Sequence, residues 1–294
     1  MSSSRLSLLS PCKVNWVLNI LGKRSDGFHE LESLMVPVPL CDQLDFDTDS
    51  QDFVLSCSHP GLPVDATNLV HKAATAFFAA AGMKPRGKIH LKKQIPMAAG
   101  LGGGSGNAAV ALQGLNQIFG NPLPISRLYE LAGQLGSDVP FFLEPGPALA
   151  LGRGERVERL PSLAAFKSCA LVLVHPGFGI STPWAYQTLA RFPETIRGTP
   201  GRAAAAAKAL SETSPLRGAE LLFNTLEVPA LDKYHILGLY QSALKEQGAL
   251  GALMSGSGST TFALFASVSD ATQARERFVD RFTECWTQVV ALNG

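Results

Sequence analysis

The stretch that most limits what this chain can fold into is Lys92-Lys93-Gln94-Ile95-Pro96-Met97-Ala98-Ala99-Gly100-Leu101-Gly102-Gly103-Gly104-Ser105-Gly106-Asn107-Ala108-Ala109. Five of the seven residues in 100–106 are glycine, and the apolar residues that follow are spaced as on one face of a helix. Glycine backbone can turn tightly and bring several N–H groups onto one oxygen-rich ligand, and the helix start adds a partial positive charge. Phosphate is the expected guest. The plain alternative is a flexible linker. A basic strand over 88–93 before the run and an apolar helix after it favour the anion-binding loop. The Gly-Lys-Ser/Thr ending of a P-loop is missing, and the next acidic residue, Glu130, falls within a predicted helix and not at the end of a second strand, as a dinucleotide fold would need.

Around this loop the chain reads as alternating strands and helices. Residues 6–20 predict a half-buried strand, with Lys13, Asn15 and Asn19 on its polar face, followed by a Ser25-Asp26-Gly27 turn carrying Phe28 and His29. Further strands are predicted over 33–40, 42–47 and 53–58, and helices over 68–82 and 125–135. Asp138 is an isolated carboxylate between a helix end and an apolar strand at 139–143. Two strands flank a turn within 148–158, and 170–174 is an apolar strand. Residues 195–218 read as a loose connection holding an alanine helix, 220–225 and 231–247 as a helix pair, and 251–265 as a second Gly/Ser loop leading to a strand. The last helix is predicted over 270–282. A domain boundary is expected near 161–166, giving an N-terminal domain over 1–163 with the glycine loop and a C-terminal domain over 164–294.

Bulk properties remove several function classes. A net charge of +1 gives no support for nucleic-acid binding, and no run reaches the roughly 18 apolar residues of a membrane span. The opening residues lead into no long apolar segment, so a cytoplasmic location is expected. Five scattered cysteines with no C-x-x-C pair indicate neither a disulfide framework nor a zinc site.

A lysine on a strand, a phosphate-type loop and an isolated aspartate suit phosphoryl transfer from a nucleotide to an alcohol. In this combination the sequence resembles the GHMP kinase superfamily, and within it the branch that acts on a cytidyl substrate in non-mevalonate isoprenoid synthesis. The matching segments are Pro11-Cys12-Lys13-Val14-Asn15 with residues 22–31, residues 96–109, Leu135-Gly136-Ser137-Asp138-Val139-Pro140, and Met254-Ser255-Gly256-Ser257-Gly258. They occur in family order and span nearly the whole chain.

The resemblance implies an α+β, two-domain GHMP kinase fold with the active site in the interdomain cleft. It implies ATP as phosphate donor and a small cytidyl molecule as acceptor, with no nucleic-acid or membrane partner, in a monomer or weak homodimer. Lys13 and Asp138 match the catalytic pair, Asp138 as base. Asn68, Lys93, Pro96, Met97, Ala98, Ala99, Gly100, Leu101, Gly102, Gly103, Gly104, Ser105 and Gly106 match the ATP-binding residues. Asn15, Phe28, His29 and Tyr186 match the substrate side, with Phe28 and Tyr186 against the cytosine and His29 on its edge.

The chain departs from the family pattern at several positions. Gly106 stands where a second Ser is usual, so Mg2+ is expected through ATP phosphates and water with no direct protein ligand. Phe28 replaces a more frequent Tyr, Cys12 a common Ala, and Thr225 a frequent Asp. The rival within the superfamily is a homoserine or mevalonate kinase, which has no evident use for the Phe28-His29 loop. The rival of another class binds nucleotide without turnover; retention of Lys13 and Asp138 speaks against it, and Gly106 for it.

Overall fold

The structure, a computed structural model, describes residues 4–212 and 214–292. In chain order the first half forms β1 (Arg5–Lys23), β2 (His29–Asp47), β3 (Phe53–Cys57), α1 (Leu69–Ala80), β4 (Gly87–Lys92), α2 (Gly103–Ile118), α3 (Ile125–Leu135), β5 (Ala148–Gly152) and β6 (Arg156–Arg159). The second half forms β7 (Ala170–His175), α4 (Thr182–Thr188), α5 (Arg202–Ser211), α6 (Pro215–Glu220), β8 (Phe223–Asn224), α7 (Glu227–Lys233), α8 (Ile236–Glu246), β9 (Gly251–Met254), β10 (Thr261–Phe265), α9 (Val268–Arg281) and β11 (Trp286–Ala291).

Two compact units share the chain. One comprises the start of the chain up to Cys12, Leu40–Ile95 and Gly102–Pro145. The other comprises Lys13–Pro39, Pro96–Leu101 and the chain from Gly146 on. The division therefore differs from the single cut at 163/164 expected from sequence, because β1 and β2 are long enough for each to supply residues to both units.

In the first unit β4 pairs antiparallel with the end of β2, Leu44 opposite Leu91, and parallel with β3, Leu55 opposite Ile89. Their apolar side chains meet α1 and α2, where Phe77 and Phe78 are fully buried and pack with Phe119. Gly114 on α2 lies so close to the Phe46 ring that a Cβ would stand 2.2 Å from it. Helix and sheet approach closely only because that position has no side chain.

In the second unit β5 pairs with the start of β2 and with β6, while the four-stranded sheet β11-β7-β10-β9 carries α8 and α9 on a core of Val172, Val174, Leu244, Phe265 and Phe278. Trp16 of β1 is fully buried against Phe166 and Phe262 and donates its indole N–H to Gly218 O at 2.7 Å.

Several elements differ from the sequence reading. β2 is one strand through 29–47, not two. The segment 139–143 is no strand: Pro140 cannot donate to a ladder, and Val139 and Phe142 make the tight i to i+3 bonds of a 3-10 turn over Pro140–Leu143. The helix expected at 220–225 stops at Glu220, and Phe223–Asn224 pair parallel with Val17 and Leu18 of β1. The connection 195–218 carries α5 and α6, and the start of α5 is held by the Glu32 carboxylate, which accepts from the N–H groups of Gly201, Arg202 and Ala203. A buried anion at a helix start satisfies donors the helix cannot.

The polar face of β1 is not solvent surface either. Lys13, Asn15 and Asn19 are buried and hydrogen-bonded, Asn19 to Glu32 and to Thr199 O, both at 2.9 Å. Buried polar groups persist when their partners are supplied. Thr225 belongs to the same account: its Oγ1 accepts from Ile20 N at 3.1 Å and donates to Leu18 O at 3.2 Å, and it is buried to 1% exposure. An Asp there could accept but not donate to Leu18. Thr225→Val keeps the shape and leaves Ile20 N–H without this acceptor, so urea unfolding should record a loss of about 1–3 kcal/mol; a loss under about 0.5 kcal/mol would show that the hydroxyl does not secure β1.

Candidate active site

The glycine run folds as loop and helix start together. Residues 96–101 belong to the second unit, and Gly102 opens α2 in the first. Gly102 is left-handed, with φ 69, and offers no side chain to the first-turn N–H groups, and that turn contains no acidic residue. Gly103, Gly104, Ser105 and Gly106 lie within the first turn and a half of α2.

The first unit fixes α2 through a buried polar cluster that sequence reading missed. Asp42, with no exposed surface, accepts from Gln94 N at 2.7 Å and Ile95 N at 2.9 Å. Its other oxygen accepts from Asn107 Nδ2 at 2.9 Å and from the Lys93 ammonium. Lys93 also donates to Asn107 Oδ1 at 3.2 Å, and Asn107 donates to Ser10 Oγ at 3.0 Å. The Lys93 side chain is 6% exposed, so its charge is already engaged in tying β4 and β2 to α2. Asn68 is the N-cap of α1: its oxygen accepts from Val70 N at 2.8 Å and its amide donates to Pro63 O at 2.6 Å.

Gly106 has a steric reason in the same unit. A Cβ there would stand 3.0 Å from both Pro11 O and Ser10 Oγ and 3.4 Å from the Phe142 ring. A serine would press on the backbone of β1. Asp138 is half-buried in the turn just past the end of α3, which the chain leaves at Gly136.

In the second unit the loop 96–101 is bound along its carbonyl edge. Ala99 O accepts from Thr260 N at 3.1 Å, Gly100 O from Ser255 Oγ at 2.9 Å, and Leu101 O from Lys13 N at 2.9 Å. Gly100, at φ 74, sits where a Cβ would be 2.2 Å from Ser255 O, so no other residue fits. Ala98 also takes a positive φ, 51, and Pro96 and Met97 lead into it. Lys13 hydrogen-bonds Asn15 Oδ1 through its ammonium, and Asn15 Nδ2 donates to Ser33 Oγ at 2.8 Å. Gly256 lies against this pair: a Cβ on it would be 3.3 Å from Asn15 Oδ1 and 3.5 Å from Lys13 Nζ.

The same unit brings His29 and Tyr186 together, with ring centroids 5.2 Å apart and planes at 33°. Phe28 is 53% exposed, and the Arg153 guanidinium lies over its ring at 4.7 Å. The Phe28 loop is shaped by Asp26, which accepts from Phe28 N at 3.1 Å, and by Arg24, paired with Asp26 and Glu30. Arg153 carried no sequence signal beyond a Gly-bounded turn. Burial, with Lys23 nearby, holds the His29 imidazole below its ordinary value, so the ring is neutral at pH 7 and offers one donor and one acceptor.

Residues 68–146 match the GHMP kinases N terminal domain and residues 201–284 the GHMP kinases C terminal domain. Among curated proteins, a 4-diphosphocytidyl-2-C-methyl-D-erythritol kinase of Synechococcus sp. (strain JA-3-3Ab) is 40% identical, covering 98% of this chain and 94% of its own. One from Pelotomaculum thermopropionicum is 42% identical over 93% of each. The crystal structure of a 4-(cytidine 5'-diphospho)-2C-methyl-D-erythritol kinase superposes with a TM-score of 0.79 at 32% identity, over 98% of this chain and 100% of that one. The order of motifs, the fold and near full-length identity agree, and the chain belongs to the 4-diphosphocytidyl-2-C-methyl-D-erythritol kinase family of ATP-dependent GHMP kinases.

Proposed function

We propose that this chain moves the γ-phosphoryl group of ATP onto the 2-hydroxyl of 4-diphosphocytidyl-2-C-methyl-D-erythritol, a step of non-mevalonate isoprenoid precursor synthesis. The observation that carries the substrate reading is the His29 ring set beside Tyr186, in the unit that also holds the Lys13–Asn15 pair. A planar ring pair with one donor and one acceptor suits a nucleobase, whose face stacks and whose edge hydrogen-bonds. A small aliphatic alcohol makes no use of either.

In this reading Asp138 accepts the proton of the 2-hydroxyl as its oxygen attacks the γ-phosphorus, and the bond to the β-γ bridging oxygen breaks to release ADP. Lys13 and Asn15 orient the nucleophile. The backbone N–H groups of 100–106 and the start of α2 take up phosphate charge, with Pro96, Met97, Ala98, Ala99, Asn68 and Lys93 shaping the nucleotide's surroundings. Mg2+ would come with ATP, and Gly106 would offer it no hydroxyl. When bound it neutralises phosphate charge. The chain acts on a small molecule, as a monomer or weak homodimer, in the cytoplasm; no helix among the described residues is long and apolar enough to cross a membrane.

Asp138→Asn tests the base. Turnover should fall by about 10² to 10⁴ while ATP affinity, measured by calorimetric titration, stays within a few fold. Near wild-type turnover would remove Asp138 from the chemistry.

Base recognition has two separable parts. Phe28→Ala and Tyr186→Ala should each weaken binding by about 1–3 kcal/mol, similarly for the cytidyl substrate and a uridyl analogue. His29→Ala should instead narrow the cytidyl-over-uridyl gap in kcat/KM, because unpaired polar groups are what reject the wrong ligand. In the wild type kcat/KM should fall on acidification with a midpoint below 6.5, as His29 gains its second proton and loses its acceptor. A cytidyl preference left intact in His29→Ala means that the base is read elsewhere.

A further inference from the structure

The segment Phe223-Asn224-Thr225-Leu226-Glu227 belongs to none of the glycine motifs, yet it grips one of them. Asn224, 4% exposed, uses both amide hydrogens, donating to Met254 O and Gly256 O at 2.8 Å each, while its oxygen accepts from Leu226 N at 2.9 Å. Glu227 Oε1 accepts from Met254 N at 2.8 Å and from the Gln241 side chain. Burial holds the Glu227 carboxyl above its ordinary value, an upward push that these two hydrogen bonds offset only in part.

Met254 is thus held by both its N–H and its carbonyl, and Gly256 by its carbonyl. Between them stands Ser255, which accepts from Asn15 N at 3.4 Å and donates to Gly100 O. Asparagine is the residue for this place. It alone among short side chains offers two N–H donors and an acceptor at once, and an aspartate would set negative charge against two carbonyl oxygens.

We propose that Asn224 and Glu227 are positioning residues for phosphoryl transfer. They hold Met254 and Gly256 in place, so that Ser255 secures the carbonyl of Gly100 and the Gly256 backbone backs the Lys13–Asn15 pair. Neither touches a reacting atom. The inference rests on the reading of Lys13 and the loop 96–101 as phosphoryl-transfer machinery.

The test compares Asn224→Ala, Asn224→Asp, Glu227→Ala and Glu227→Gln with the wild type in kcat, KM, ATP affinity, Tm and amide hydrogen exchange by mass spectrometry. Asn224→Ala and Glu227→Ala should lower kcat by about ten- to a hundredfold, the scale of a small misplacement in a preorganised site. Exchange should rise in peptides spanning 254–260 and 96–101 and stay unchanged over β7. Asn224→Asp should be at least as impaired as Asn224→Ala. Glu227→Gln should recover most of the activity, because Gln241 can turn its amide to face the new one. If Asn224→Ala does not fold, the contrast between Glu227→Ala and Glu227→Gln decides the matter. A kcat within twofold of wild type in the folded alanine variants overturns the proposal, as does exchange that rises evenly across the chain. Should the wild type not phosphorylate the cytidyl substrate, the substrate reading falls by itself. Weaker ATP binding with exchange raised only around 254–260 then still supports the brace, and unchanged values overturn it.

Discussion

A backbone that presents N–H groups to an anion needs its carbonyls satisfied elsewhere, because a buried peptide group without a partner is strongly unfavourable. In the glycine loop the carbonyls of Ala99, Gly100 and Leu101 are taken by Thr260 N, Ser255 Oγ and Lys13 N. This pattern dictates the rest. It needs a glycine at 100, since Ser255 O would collide with any Cβ, and a small-residue turn at 255–258. It also needs a strand whose residue 13 donates to the loop through its N–H and bonds Asn15 through its side chain.

The first unit meets a parallel demand with charge. Asp42 collects two backbone N–H groups, an asparagine amide and a lysine ammonium, so no oxygen of the buried carboxylate goes without a donor. Such a cluster is robust while complete and costs about 3–5 kcal/mol when one charged partner is removed. Its result is a fixed start for α2. β1 serves both arrangements, supplying Ser10 to this cluster and Lys13, Asn15 and Asn19 to the other unit.

Legibility in the sequence followed the physical range of each signal. The glycine loop, α1, α3 and the strand at 170–175 could be read because their determinants are local: glycine content, a cap, an apolar period. The segment 220–225 could not, since its strand exists only where Asn224 and Thr225 find partners on β1, β9 and the loop after it. β11 escaped notice for a similar reason, its pairing with β7 being distant in sequence. Alternation alone left the face of Lys13, Asn15 and Asn19 open as solvent surface or the wall of a site, and burial excludes solvent surface, because tertiary partners override alternation. On the substrate side Phe28 and His29 were visible as a turn motif, whereas Arg153 over Phe28 was not, for a lone arginine between two glycines carries no pattern.

Phosphate handling of this kind would serve any alcohol, so specificity has to come from the ring pair and not from the loop. The most direct measurement is turnover of the purified chain with ATP and Mg2+ on 4-diphosphocytidyl-2-C-methyl-D-erythritol, homoserine and mevalonate side by side, with the product identified by phosphorus NMR. The account predicts phosphorylation of the cytidyl substrate at its 2-hydroxyl and turnover of the other two at least about a hundredfold lower in kcat/KM. Comparable turnover of homoserine or mevalonate, or none of the cytidyl substrate, would contradict it.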